Sequence, residues 1–159
     1  MLIEFPVVWI IILNIAVWLL IQLSLAWGFT RIPVNWFNPG PAASWEKNGR
    51  FYERGFAIKR WKDLLPDAAL WFSGGFAKGT LSNKEPQYLA RFIRETRRGE
   101  LCHWWAIGCA PVFLIWNPWW GQLIIIAYAF AANLPCILVQ RYNRIRFVRM
   151  LARFGLKGQ

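Results

Sequence analysis

The sequence predicts an all-α membrane protein with about three transmembrane helices, over residues 5–27, 98–116 and 120–139, joined by a long amphipathic cytosolic loop and ending in a basic tail. Three observations point there. A hydrophobic share of 57% stands beside a net charge of +11, with the apolar and basic residues in separate segments. Phe5 to Trp27 is a nearly unbroken apolar run whose polar interruptions, Asn14, Gln22 and Ser24, carry no charge. Two later apolar stretches are separated only by Asn117-Pro118-Trp119-Trp120. A single integral membrane domain over 1–159 accommodates all three.

The first run is long enough to cross a hydrocarbon core of about 30 Å with some tilt. A secretory signal peptide needs a basic leading region and a shorter apolar core, whereas this N-terminus carries Glu4 and no Lys or Arg. The run therefore reads as a retained helix.

Leu101 to Trp116 and Gly121 to Val139 read as a tight hairpin, its turn rimmed by tryptophans suited to the headgroup zone. The first arm spans about 24 Å if helical throughout, which is short for a crossing. Starting it near residue 98 draws Glu100 to headgroup depth, where Arg97 can snorkel, and Pro111 should kink it. Gly28 to Glu100 holds 13 Lys and Arg against 7 acids, and the tail from Gln140 holds 6 basic residues and no acid. The positive-inside rule places 28–97 and 140–159 in the cytosol, with the N-terminus and the Asn117-Pro118 turn outside. That rule and the pull of anionic headgroups account for the basic excess, so nucleic acid is not the expected partner.

The loop carries more than linker composition. Ser44 to Arg54 mixes rings with charges, and Ser44 could cap a helix. Phe56 to Asp67 is basic and aromatic and suits the membrane surface, its rings at the acyl boundary and its cations among phosphates. Leu70 to Leu81, broken by Ser73-Gly74-Gly75 and Lys78-Gly79, reads as an interfacial or re-entrant loop without Walker spacing. From Pro86 the pattern is helical, with Leu89, Phe92 and Ile93 on one face, and it runs into the first hairpin arm. Cys102, Cys109 and Cys136 form no CxxC and read as packed thiols.

Candidate chemistry centres on Glu100-x-x-His103, which contains the only histidine. A helix places Thr96, Glu100, His103 and Ile107 on one stripe, and a carboxylate beside an imidazole can orient the ring as a general base. The plainer alternative has His103 donating to a backbone carbonyl at the interface. Closure of the hairpin brings Gln140-Arg141-Tyr142-Asn143-Arg144 near the pair. Arg141 and Arg144 could grip phosphates or steady an oxyanion, or could simply mark the cytosolic boundary as Arg146, Arg149 and Arg153 do. Asn133, just before Pro135, either caps the proline break or contacts substrate. Glu95 reads as a solvated partner of Arg91 or Arg98. A Cys102–His103 dyad fails because neighbours on a helix point about 100° apart. A di-iron site would need a second Glu-x-x-His, and no cofactor is expected.

Four motifs in order carry a family resemblance: Trp45-Glu46-x-x-Gly49-Arg50-Phe51-Tyr52; Ile58-Lys59-Arg60-Trp61-Lys62-Asp63-x-Leu65-Pro66-Asp67; Glu95-Thr96-x-Arg98-x-Glu100-Leu101-x-His103-Trp104; and Asn133-x-Pro135-x-Ile137-x-x-Gln140-Arg141-Tyr142-Asn143-Arg144. Over roughly Thr30 to Arg146 the chain resembles the glycosyl-4,4'-diaponeurosporenoate acyltransferase family, small bacterial membrane proteins of staphyloxanthin-type carotenoid synthesis. It departs in the glycine-rich Ser73 to Thr80 region and in its high Trp content. The resemblance implies a cell-membrane O-acyltransferase. Such an enzyme takes an acyl group from acyl-CoA or an acyl-carrier protein to a sugar hydroxyl of a glycosylated carotenoid or related glycolipid. His103 would be the base and Glu100 its orienting partner, with Arg141, Asn143, Arg144, Arg98, Gln140, Asn133 and Trp104 lining the substrates. The competing class is a non-catalytic membrane scaffold for lipid-synthesis enzymes. A small transporter has less ground, since three crossings offer few intramembrane ionisable groups and no inverted repeat.

Overall fold

The N-terminal apolar run forms α1 (Val7–Arg31), which begins two residues later than expected and continues a turn past Trp27. Trp18 is its one buried residue, while Val8, Trp9, Ile12, Ile15 and Leu19 stand exposed, as on a helix whose surroundings are themselves apolar. These features come from a computed structural model that describes residues 2–65 and 85–153. Every regular element among the described residues is helical.

Among the described residues two helices, not three, are long and apolar enough to cross a membrane: α1 and the 35-residue final helix, Trp119–Arg153. The expected span over 98–116 is built otherwise. The helix over Pro86–Gly108 starts well upstream, with proline at its first turn where the missing N–H is no loss, and it stops at Gly108. A 3-10 helix, Ala110–Ile115, takes over. Pro111 cannot donate to the carbonyl four residues back and its ring clashes there, so it ends the α-helix instead of kinking it. The final helix in contrast runs through Pro135 and on to Arg153, so the basic tail is helical as far as it is described.

Between these lie Val34–Trp36, Ser44–Gly49, Ile58–Arg60 and Lys62–Leu64, all 3-10, and one short α-helix, Arg50–Gly55. In chain order the α-helices are α1, α2 (Arg50–Gly55), α3 (Pro86–Gly108) and α4 (Trp119–Arg153). Residues 66–84, which include the expected re-entrant loop, lie outside the described residues.

α3 packs antiparallel on α4, with Phe92 and Phe147 rings 4.2 Å apart at one end. α1 runs parallel to α4, bonding through Asn14 to Asn117 at 3.0 Å and through Gln22 to Asn133 at 3.3 Å. The amides of Leu2 and Ile3 donate to the carbonyl of Ile115. The N-terminus and the Asn117-Pro118 turn therefore share one end of the bundle, and the arginine-rich ends of α3 and α4 share the other. An apolar core of Trp18, Ala110, Phe113, Trp116, Ile125 and Ala129 fills the first end. At the second, Tyr52 and Ile58 bury against Tyr142 and Ile145, fastening the loop to α4. Gly49, packed against the Tyr142 ring, sits at φ 89°, a backbone conformation that side chains resist.

Candidate active site between α3 and α4

Glu100 and His103 are one turn apart on α3, and their side chains meet different partners. Glu100 is 1% exposed. Its Oε1 is 3.1 Å from Nε of Arg141, and its Oε2 is 2.6 Å from Nη1 of Arg144 and 3.2 Å from Nη1 of Arg97. Both oxygens thus face guanidinium groups, with Oε2 accepting from Arg144 and Oε1 ion-paired with Arg141, where the spacing pointed to an imidazole. A buried carboxylate needs compensating charge, and arginines on the facing helix supply more of it than a neutral ring would.

Arg141 extends the cluster. It lies 5.7 Å over the Trp45 ring and 3.9 Å from the buried Glu46. Glu46 accepts from the Tyr52 hydroxyl at 2.6 Å and reaches back to the Ala43 N–H at 2.7 Å. Burial first, and then the bond to Glu46, pushes the Tyr52 phenol well above its ordinary 10.0.

His103 is half-buried, and its Nδ1 is 2.9 Å from Oδ1 of Asn133. The Asn133 amide nitrogen donates to the Ala129 carbonyl at 2.9 Å. A carbonyl can only accept, so the amide is oriented with Oδ1 toward the ring, and Oδ1 in turn requires a donor. Nδ1 therefore carries a proton, and in the neutral form of the ring the lone pair is on Nε2. Asn133 holds the ring as Glu100 was expected to.

The other expected residues divide. Gln140 stands two turns from Asn133 on the same face of α4, its Oε1 buried with no hydrogen-bond partner among the described residues. Asn143, half-buried, adjoins Arg144, and Trp104 is exposed beside His103. Arg98 turns to Glu95 at 2.7 Å, and both are buried, so the ion pair expected to be solvated lies inside. His103, Asn133, Gln140, Glu100, Arg141 and Arg144 form one polar stripe between the helices. Arg97, Gln22, Glu46 and Tyr52 join it without having been anticipated. Arg97 was legible, being three residues from Glu100. Gln22 was visible only as a lone amide in an apolar run, and Glu46 and Tyr52 as members of a motif with no evident partner.

The chain matches the family model described as glycosyl-4,4'-diaponeurosporenoate acyltransferase over residues 33–153. Proteins of that name from Staphylococcus aureus strains Newman and COL are each 34% identical over 148 residues, covering 89% of this chain and 88% of the relative. No solved structure matches it significantly. On the length and strength of these matches, the chain belongs to the glycosyl-4,4'-diaponeurosporenoate acyltransferase family.

Proposed function

We propose that this chain is a membrane O-acyltransferase that moves a fatty acyl group from an acyl thioester, on coenzyme A or a carrier protein, to a sugar hydroxyl of a glycosylated carotenoid or related glycolipid. The observation that carries the reading is the His103–Asn133 contact in a chain of this family, because it leaves Nε2 as the basic nitrogen. Nε2 accepts the hydroxyl proton as the sugar oxygen attacks the thioester carbonyl. The C–O ester bond forms, the C–S bond breaks, and the proton passes from Nε2 to the departing sulfur. Arg97 and Arg141, 34% and 30% exposed, are the arms for donor phosphates, while Arg144 at 12% stays locked on Glu100. Gln140 Oε1 accepts from a sugar hydroxyl, with Asn143 and Trp104 beside it, and Arg98 supports α3 through Glu95. In the cell membrane the arginine end faces the cytosol, where thioesters are found, and the acceptor lies in the leaflet around α1 and α4.

The test is acyl ester formation, read by mass, with the purified chain in lipid nanodiscs, a glycosyl carotenoid and either thioester. His103→Ala should lower turnover about 100-fold or more at unchanged folded yield. Asn133→Leu should lower it about tenfold, because nothing then orients the ring through Nδ1. Full turnover by His103→Ala would remove the base. No ester with either donor would remove the reaction, and survival of cellular function in His103→Ala alongside its loss on neutralising the loop would favour the scaffold.

A further inference from the structure

The loop segment fastened to α4 has an outward face that the proposed chemistry does not use. Trp45, Phe51 and Phe56 are each between 40% and 47% exposed, yet they touch one another. The ring centroids are 5.0 Å apart for Trp45–Phe51 and 5.6 Å for Phe51–Phe56. This is a continuous aromatic patch, not scattered surface rings. The turn after Phe56 is held in place: Ala57 sits at φ 47°, and the Trp61 indole donates to the Phe56 carbonyl at 2.8 Å.

Charge around the patch has one sign. The two acidic residues of the segment already have partners: buried Glu46 binds Tyr52 and the Ala43 N–H, and half-exposed Glu53 pairs with Lys59 and accepts from Tyr142. Arg50, Arg54 and Arg60 are exposed, with no acidic partner among the described residues. The segment is fastened to Tyr142 and Ile145, just beyond the point where the apolar part of α4 gives way to its arginines. An aromatic patch rimmed by unpaired cations, at the depth where an apolar helix becomes charged, matches the headgroup layer in both polarity and sign.

We infer that residues 44–60 form a docking surface for the anionic leaflet of the bilayer holding α1 and α4, with Trp45, Phe51 and Phe56 at the acyl boundary and Arg50, Arg54 and Arg60 on lipid phosphates. The surface is joined to the polar stripe, because Trp45 packs on Phe51 and also lies beneath Arg141.

The experiment uses the full chain in nanodiscs of phosphatidylcholine, with and without phosphatidylglycerol. Amide hydrogen exchange of the 44–60 segment should slow on the order of tenfold when the anionic lipid is present. The triple variant Arg50→Gln, Arg54→Gln, Arg60→Gln should abolish that difference. A nitroxide at Phe51→Cys, with Cys102, Cys109 and Cys136 replaced by Ala, should collide with oxygen and be shielded from a water-soluble nickel complex. Lipid-independent exchange would overturn the inference, as would a nickel-accessible label. Spin–spin broadening that appears only with two chains per disc would also overturn it, by assigning the patch to a second copy. None of these readings depends on acyl transfer, so failure of the surface and failure of the proposed reaction are separable.

Discussion

A carboxylate buried to 1% takes the strongest donors within reach, and for Glu100 these are arginines contributed by both helices. Glu100→Gln would leave three guanidinium groups short of countercharge. The expected cost is about 3 kcal/mol, moderated because Arg97 and Arg141 remain open to water. Thermal unfolding in nanodiscs should show a clear drop in Tm for Glu100→Gln and almost none for His103→Ala. Equal Tm values would remove the structural role assigned to Glu100. The sequence marked both residues through their spacing on one helix. It could not assign their partners, because those depend on the register between α3 and α4, which no local pattern encodes. Asn14 and Gln22 show the same limit: each stood out as a polar break in an apolar run, and each is explained only by a partner far along the chain, Asn117 and Trp116 in the turn before α4 for Asn14 and Asn133 on α4 for Gln22.

At the level of elements, hydropathy located the apolar stretches well and the helix ends poorly. Pro111 ends an α-helix, whereas Pro135 is carried inside one, where the loss of a single donor is tolerated in a long apolar helix. Past Gln140 the sequence turns basic without ceasing to be helical, because Phe147 and Leu151 still bury against Leu89, Phe92 and Ile93 of α3. The 44–55 segment was legible as amphipathic, but its anchor, Tyr52 on Glu46, was not. Tyr52→Phe removes that donor and should cost about 1–2 kcal/mol at neutral pH. Its pH dependence follows from the raised phenol. The folded chain keeps the proton at a pH where the unfolded chain has released it. The Tyr52 contribution is therefore full below the ordinary value of 10.0 and declines as pH rises above it. Tm followed from pH 7 to 11 should fall less steeply at the alkaline end for Tyr52→Phe than for the parent, and parallel curves would contradict the assignment.

Across the whole molecule, the apolar helix α1 is tied at two levels by side-chain amides to the turn before α4 and to α4 itself. At one end Asn14 and Asn117 exchange hydrogen bonds and the Trp116 indole joins them at 2.8 Å; farther along, Gln22 meets Asn133. Apolar contact alone selects little among helices in an apolar solvent, so these pairs help fix the rotation and height of α1. Asn14→Leu should cost about 1 kcal/mol and loosen α1, read as faster hydrogen exchange in Leu2 to Trp18, and unchanged exchange would argue against it. Because α4 is one continuous helix, the stretch from Asn133 to Arg144 is also a ruler. Eleven residues set about 16 Å along the axis between the amide that aims the imidazole and the guanidinium locked on Glu100. Under the proposed reaction, a donor whose phosphates rest on Arg141, about a turn short of Arg144, would present its thioester at a fixed distance from the imidazole. The reach of its connecting arm, more than the length of its acyl chain, would then be what the protein measures.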